Sequence, residues 1–201
     1  MKGQMFIIAA IFIIIGMVAA KNLLSTTLEE EKRSVEMINA DKLLKNIGNE
    51  YSYLLSVSAS QARPNQSAIA YFSGFSSFLR SDVAGFSVLY AAVYLNESAM
   101  KYSVNVGNFL GGLVNITINT TGSSPAGYNL TLSDKENKIV EFSLSSLQNF
   151  NVTLNYTINA ATSVEKFPIL AKNYSLLYID MKIARSNIEL GLKEVYNRTV
   201  I

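Results

Sequence analysis

Met5 to Ala20 (MFIIAAIFIIIGMVAA) runs for sixteen residues without a charge, between Lys2 and Lys21, and constrains the chain more than any other segment. As a helix it is about 24 Å long, short of the roughly 30 Å of a bilayer's hydrocarbon core. Asn22, Leu23 and Leu24, with Lys21 reaching back to the interface, bring the length to about 30 Å. The run's six Ile, two Phe and one Val favour insertion by very roughly 4 kcal/mol. The expectation is a membrane-spanning helix with its short N-terminal side inside and the remainder translocated, as long domains largely are regardless of charge. Two readings compete with it. One is a buried helix of a soluble domain; the other is a secretory signal peptide removed after Val18-Ala19-Ala20, which offers a small-residue cleavage site.

The chain has 201 residues, 49% of them hydrophobic, which suffices for one short membrane segment and a single globular domain with an ordinary core. Its net charge of +2 arises from 17 basic and 15 acidic residues, and no basic stripe interleaves with aromatics, so nucleic acid is not an expected partner. With no Cys and no His, the chain has no disulfides, thiolate nucleophiles, thiolate or imidazole metal sites, or imidazole acid/base catalysis. No cofactor or metal is expected.

Lys2-Gly3-Gln4 stands immediately before the apolar run. This N-terminus, over about the first 25 residues, resembles the class III signal peptides of archaeal type IV pilin-like proteins. The resemblance implies that a prepilin peptidase cuts between Gly3 and Gln4 and leaves the hydrophobic helix on the mature chain. It implies, as partners, that peptidase, the membrane, and copies of the chain or other pilin-like subunits. Many pilins carry Glu at the fifth mature position, where this chain has Ile8.

Beyond the run, Val35, Ile38, Leu44, Ile47, Tyr51, Leu54 and Leu55 recur at the spacing of an amphipathic helix. Thr27 with Glu30 forms a possible capping box and a fresh helix start; the alternative is one helix continuous with the apolar run. The acidic run Glu29-Glu30-Glu31 fits such a helix start, where carboxylates meet the positive end of the dipole. Pro64 ends this stretch, and Asn65 suits the N-cap of a second helix burying Ile69, Phe72, Phe75, Phe78 and Leu79. With Tyr71, those aromatics could also make a sugar-stacking platform, but their helical spacing favours core.

From Gly85 the pattern turns to period two, with strands expected near residues 86–95, 101–109, 113–120, 127–133, 138–145 and 150–159. Gly111-Gly112, Gly122 to Gly127 and Asp134-Lys135-Glu136-Asn137 supply turns between them, which predicts antiparallel hairpins. Leu176 to Ser186 reads as another strand, and Ile188 to Tyr196 as either strand or helix. The expected fold is α+β: an N-terminal transmembrane, pilin-like hydrophobic helix, amphipathic helices, then an antiparallel, sandwich-like β domain. Its parts are a leader over residues 1–3, a membrane or filament-core helix over 4–24, a helical stalk over 25–82 and a β-rich extracytoplasmic domain over 83–201.

Nine Asn-x-Ser/Thr patterns occur, at Asn65, Asn96, Asn115, Asn119, Asn129, Asn151, Asn155, Asn173 and Asn197. They are candidate N-glycosylation sites. A bland origin competes: residues i and i+2 of a strand share a face, so a solvated face of Asn and Thr generates the pattern by itself. No catalytic constellation emerges. Asp82, Glu97, Asp134, Glu136, Glu141, Glu165 and Asp180 leave room for a carboxylate pair, which is a generic possibility. The sequence therefore suggests a non-enzymatic, pilin-like cell-surface subunit, held at the membrane by its helix or built into an extracellular filament. The alternative is a non-polymerising, membrane-anchored binding protein or adhesin, towards which Ile8 points. A secreted carboxylate hydrolase is the third reading.

Overall fold

The computed structural model describes residues 2–61, 64–121, 125–158, 161–172, 174–185 and 188–199, with backbone alone at 2–16 and 20. Two helices come first, α1 (Lys2–Ala59) and α2 (Pro64–Asp82). Nine strands follow: β1 (Phe86–Asn96), β2 (Lys101–Phe109), β3 (Val114–Thr121), β4 (Ala126–Leu132), β5 (Glu136–Ser143), β6 (Phe150–Ile158), β7 (Ala161–Ile169), β8 (Tyr174–Arg185) and β9 (Ile188–Thr199). The class is α+β with two antiparallel sheets. One part of the expected fold is overturned: among the described residues no helix is long and apolar enough to cross a membrane. The physical reason is visible from Met17 onward. There the helix carries Lys21 and then Glu29 to Arg33, and each charge at a bilayer's centre costs about 2.5–3.5 kcal/mol.

The chain divides into two compact units, residues 1–41 and 42–201. The first is helical from Lys2 onward. No fresh helix starts at Thr27. Its hydroxyl donates back to the carbonyls of Leu23 and Leu24 at 2.6 and 3.2 Å, and Ser25 and Thr26 bond back to Asn22 in the same way. Hydroxyls bonded to the preceding turn continue a helix instead of capping one. Glu29 to Glu31 consequently lie in mid-helix, far from a dipole end.

In the second unit, α2 begins at Pro64, whose missing N–H costs nothing in a first helical turn. Asn65 is thereby inside the helix rather than its cap, and its Oδ1 accepts from the Ser103 hydroxyl at 2.6 Å. The strands form a five-stranded sheet ordered β5-β2-β1-β8-β9 and a four-stranded sheet ordered β4-β3-β6-β7. Leu89, Ala91, Val93 and Leu95 of β1 face the four-stranded sheet across one core, with Ile116, Ile118, Leu154 and Phe167 opposite. Phe86, Val88, Tyr90, Ala92 and Tyr94 face the helices across another, against Leu44, Ile47, Tyr51, Leu55, Phe72 and Leu79. The layers are helix, sheet and sheet, and β1 is buried on both faces as a middle-layer strand must be. Two tyrosines in the helix core keep their hydroxyls satisfied, Tyr51 with Ser76 at 2.6 Å and Tyr94 with Ser58 at 2.7 Å.

Of the expected turn over Gly122 to Gly127, residues 122–124 lie outside the described residues, and Ala126 and Gly127 already belong to β4, which pairs antiparallel with β3. The two other expected hairpin turns do not close hairpins. Gly111-Gly112 carries the chain from β2 in one sheet to β3 in the other, and Asp134 to Asn137 carries it back from β4 to β5. Asn108, fully buried, ties these crossings together. Its amide nitrogen donates to the carbonyls of Gly112, Leu132 and Ser133 at 2.7 to 3.1 Å, and its own carbonyl accepts from Lys135 N at 2.7 Å. Asp134 completes the corner, accepting from Gly111 N at 2.9 Å and from the Arg80 guanidinium of α2 at 2.7 Å.

Burial pushes the Asp134 carboxyl upward, but the hydrogen bonds from Arg80 and Gly111 and the charges of Arg80 and Lys135 outweigh it and hold it below the usual value. A depressed folded pKa stabilises above the unfolded pKa near 4, and the contribution is lost as pH falls through the folded value. Asp134→Ala is therefore expected to cost about 1 kcal/mol at neutral pH, allowing for solvent screening, and less at pH 2. Urea unfolding of both proteins at the two pH values measures the difference.

Candidate functional site

In the first unit α1 presents a line of uncovered apolar side chains. Met17, Leu23, Leu24, Leu28, Val35 and Ile38 are between 52% and 73% exposed, whereas Leu44, Ile47, Tyr51 and Leu55, further along the helix, are buried. Val35 and Ile38 thus belong to the expected amphipathic face without being covered. A helix with this much apolar surface, beside i,i+4 ion pairing such as Lys32 to Glu36 at 4.0 Å, has a surface suited to packing on another helix. Gly3 and Gln4 fall within the helical span Lys2–Ala59.

The second surface is the outer face of the four-stranded sheet. Strand register aligns Asn129, Thr117 and Asn155 in one row and Thr131, Asn115 and Thr157 in the next. Asn119 is opposite Thr153, and Thr121 opposite Asn151. Five sequon asparagines, Asn115, Asn119, Asn129, Asn151 and Asn155, therefore share one face. Cross-strand bonds knit it: Thr131 donates to Asn115 Oδ1 at 2.7 Å and Thr117 to Asn129 Oδ1 at 2.8 Å. The inward partners Ile116, Ile118, Val152, Leu154 and Tyr156 are buried, so the Asn and Thr alternation is the solvent side of a sandwich sheet.

The remaining sequons are scattered. Asn96 ends β1 and its Oδ1 accepts from Ala99 N at 3.0 Å in an exposed turn, Asn197 is exposed on β9, Asn65 is half-buried in α2, and Asn173 lies outside the described residues. These settings rank the sites. Glycan attachment to a folded chain needs a reachable amide in an adaptable backbone, so Asn96 should be the most fully modified and Asn65 the least. Glycopeptide mass mapping of the protein from a glycosylating host checks the order.

The structure separates most of the seven carboxylates. Asp82 ends α2, Glu97 is in the β1–β2 turn, Asp134 pairs with Arg80, and Glu136 and Glu141 belong to β5. Glu165 and Asp180 are brought together, at 2.9 and 3.9 Å from Lys193 Nζ. Tyr156 donates to Asp180 in a short hydrogen bond and meets the Tyr178 hydroxyl at 2.7 Å, while Lys193 lies 5.7 Å from the Tyr156 ring centre. Burial lowers the tendency of Lys193 to hold its proton, but the bonds to Glu165 and Tyr156 more than reverse this and raise its pKa. Burial and then the hydrogen bond to Asp180 raise that of Tyr156, against the hydrogen bond with Tyr178, which lowers it. A lysine held as a cation between two carboxylates is a clasp joining β7 of one sheet to β8 and β9 of the other, and a poor nucleophile or base. Tyr156, Tyr178 and Lys193 were not legible as a group in the sequence. The available signal was a carboxylate and a lysine interrupting strand alternation.

Phe72 is buried and Phe75 packs edge-on to Tyr51 at 5.0 Å, while Tyr71 and Phe78 are partly exposed, so the four aromatics form no common platform. A cleft of about 400 Å³, lined by Asn65, Tyr94, Asn96, Lys101, Glu141 and Tyr174 among others, opens near the start of α2. Among the described residues no group of three or more His, Cys, Asp or Glu could hold a metal ion. No protein family matches the chain, and neither does a curated protein or a solved structure.

Proposed function

We propose that the chain is a type IV pilin-like surface subunit that assembles through α1. The observation that carries this reading is the uncovered apolar line from Met17 to Ile38, on a helix that runs on from Lys2-Gly3-Gln4 without interruption. A prepilin peptidase cuts between Gly3 and Gln4, and the mature helix packs against helices of copies of the chain or of other pilin-like subunits. The three-layer β unit faces outward, with its Asn and Thr sheet face as the surface that meets solvent and carries glycans. Association is driven by covering Leu, Val, Ile and Met side chains, each worth up to about 1.5–3 kcal/mol when fully buried.

Production together with a prepilin peptidase and an archaeal-type assembly platform, followed by negative-stain electron microscopy, tests the proposal. Filaments or discrete oligomers containing the chain are the expected result; monomers in every fraction would contradict it. A non-polymerising binding protein or adhesin is the second reading, and the cleft beside Asn96, Lys101 and Tyr174 favours it. It predicts a monomer that retains a specific sugar or peptide.

A further inference from the structure

The cleft of about 400 Å³ lies where the helix layer ends over the five-stranded sheet. Ala59 closes α1, Pro64 opens α2, and Asn65 meets the sheet at the Ser103 hydroxyl. Register carries the same sheet face further. Tyr94 pairs with Ser103, Ser103 with Glu141 and Asn96 with Lys101, so all five point to the helix side. Tyr94 and Ser103 are buried under the helix ends, bonded to Ser58 and Asn65, whereas Asn96, Lys101 and Glu141 are exposed. The cleft therefore has a closed floor and a polar, uncovered rim.

Among the described residues that line it, Lys101 and Glu141 are the charged ones, one of each sign. Such a pair gives no net attraction to an anion or a cation. It suits a neutral polyhydroxyl ligand, whose adjacent hydroxyls accept from an ammonium and donate to a carboxylate. Asn65, with Oδ1 taken by Ser103, adds the donors of its Nδ2. The volume is within the roughly 300–1,000 Å³ of small-ligand sites. Asn96 is itself a lining residue and heads the sequon Asn96-Glu97-Ser98. Its Oδ1 accepts from Ala99 N at 3.0 Å, which fixes the planar amide, and with it the attachment atom Nδ2, at the rim.

We infer that the cleft is a saccharide site whose occupant is the glycan attached to Asn96 of the same chain. The inference rests on the reading of the sequons as glycosylated and adds where one glycan is seated. Magnitudes select this source over a free sugar. A few hydrogen bonds to water-exposed rim groups give a dissociation constant of about 1 mM. A tether of one side chain supplies an effective concentration on the order of several mM, so the attached glycan is seated most of the time and a dilute free one is not. A cleft filled in this way is closed to outside ligands.

The full chain from a glycosylating host, kept folded, is digested with exoglycosidases matched to its glycan, and trimming at each sequon is followed by glycopeptide mass. Asn197, exposed on β9, is the reference within the same molecule. Trimming at Asn96 should be at least threefold slower than at Asn197, and the double variant Lys101→Ala/Glu141→Ala, changed at two exposed positions, should remove the difference. Equal rates in the folded wild type would overturn the inference and leave glycosylation standing. So would a difference that survives the double variant, or an Asn96 that stays bare while other sequons are modified. A chain bare at every sequon would overturn both. Neutral oligosaccharides titrated into the unglycosylated chain should bind with a dissociation constant of about 1 mM or weaker. Binding a thousandfold tighter would assign the cleft to a free glycan and overturn the tethered occupant.

Discussion

Changing Leu24 and Leu28 together to Gln should weaken self-association of the full chain by roughly a thousandfold and leave its unfolding unaltered. Both side chains are uncovered in the chain by itself, at 63% and 57% exposure, so their loss removes nothing from either core. In a pair of α1 helices each occurs twice. Half-covering a leucine is worth about 1 kcal/mol, so four such sites amount to about 4 kcal/mol, which is three decades in Kd. Gln keeps a helix propensity close to that of Leu, and α1 itself therefore persists. Sedimentation of wild type and variant over a concentration series gives the association constants, and urea unfolding of both gives the control. Equal association constants would mean that this face of α1 is not where subunits meet. Loss of stability in the variant would mean that the two leucines are covered within the chain.

The largest effect on stability is expected at Gly85. Its φ of +75° lies in the left-handed region that L side chains rarely adopt, and a Cβ built there would fall 1.8 Å from the carbonyl oxygen of Ala184. That oxygen belongs to β8 backbone, whose Ala184 N–H also donates to Gly85 O at 3.0 Å, so neither partner can withdraw without opening the end of the β1–β8 ladder. Gly85→Val should cost about 4 kcal/mol or more, enough to leave much of a marginally stable domain unfolded. Gly112→Ala is the matched control, since a Cβ there meets nothing within 4 Å, and it should change stability by less than about 0.5 kcal/mol. Denaturation midpoints of the two variants against wild type measure the contrast.

The strands were most legible where one face is water. In Phe150 to Ile158 the alternation of Val152, Leu154 and Tyr156 with Asn and Thr follows directly from burial on one side, and β6 lies there. What β1 packs against was harder to see, because both its faces are apolar; VLYAAVYL is the mark of a strand covered on two sides, by helices on one and a sheet on the other. β7 gave no signal because its inward positions include Ser163 and Glu165, satisfied by Lys193, and because Pro168 falls on its solvent side. An inward charge and a proline are the devices of an edge strand, which is where β7 is placed. β9 pairs along its whole length with β8, and its ambiguity between strand and helix was settled by that partner rather than by its own pattern.

Turn chemistry misled for a related reason. Gly111-Gly112 and Asp134 to Asn137 have the residues of hairpin turns, but whether a chain reverses within a sheet or crosses to the other depends on what holds the corner. Here that is the buried Asn108 amide, twenty-odd residues from one of the carbonyls it binds. The membrane-spanning expectation rested on Met5 to Ala20, most of whose side chains lie outside the described residues; among the described residues, where α1 carries Lys21 and Glu29 to Arg33, no helix is long and apolar enough to cross a membrane. Of the functional surfaces, the sequons were legible individually, but their gathering on one face depended on the β3, β4 and β6 register.

The measurement that bears most directly on the pilin-like reading is the N-terminal residue of the mature protein from its native cells, obtained by mass spectrometry of membrane and shed fractions. A mature chain that begins at Gln4 is the predicted result. A chain that still begins at Met1, or one that begins beyond Ala20 with the apolar run removed, would contradict it.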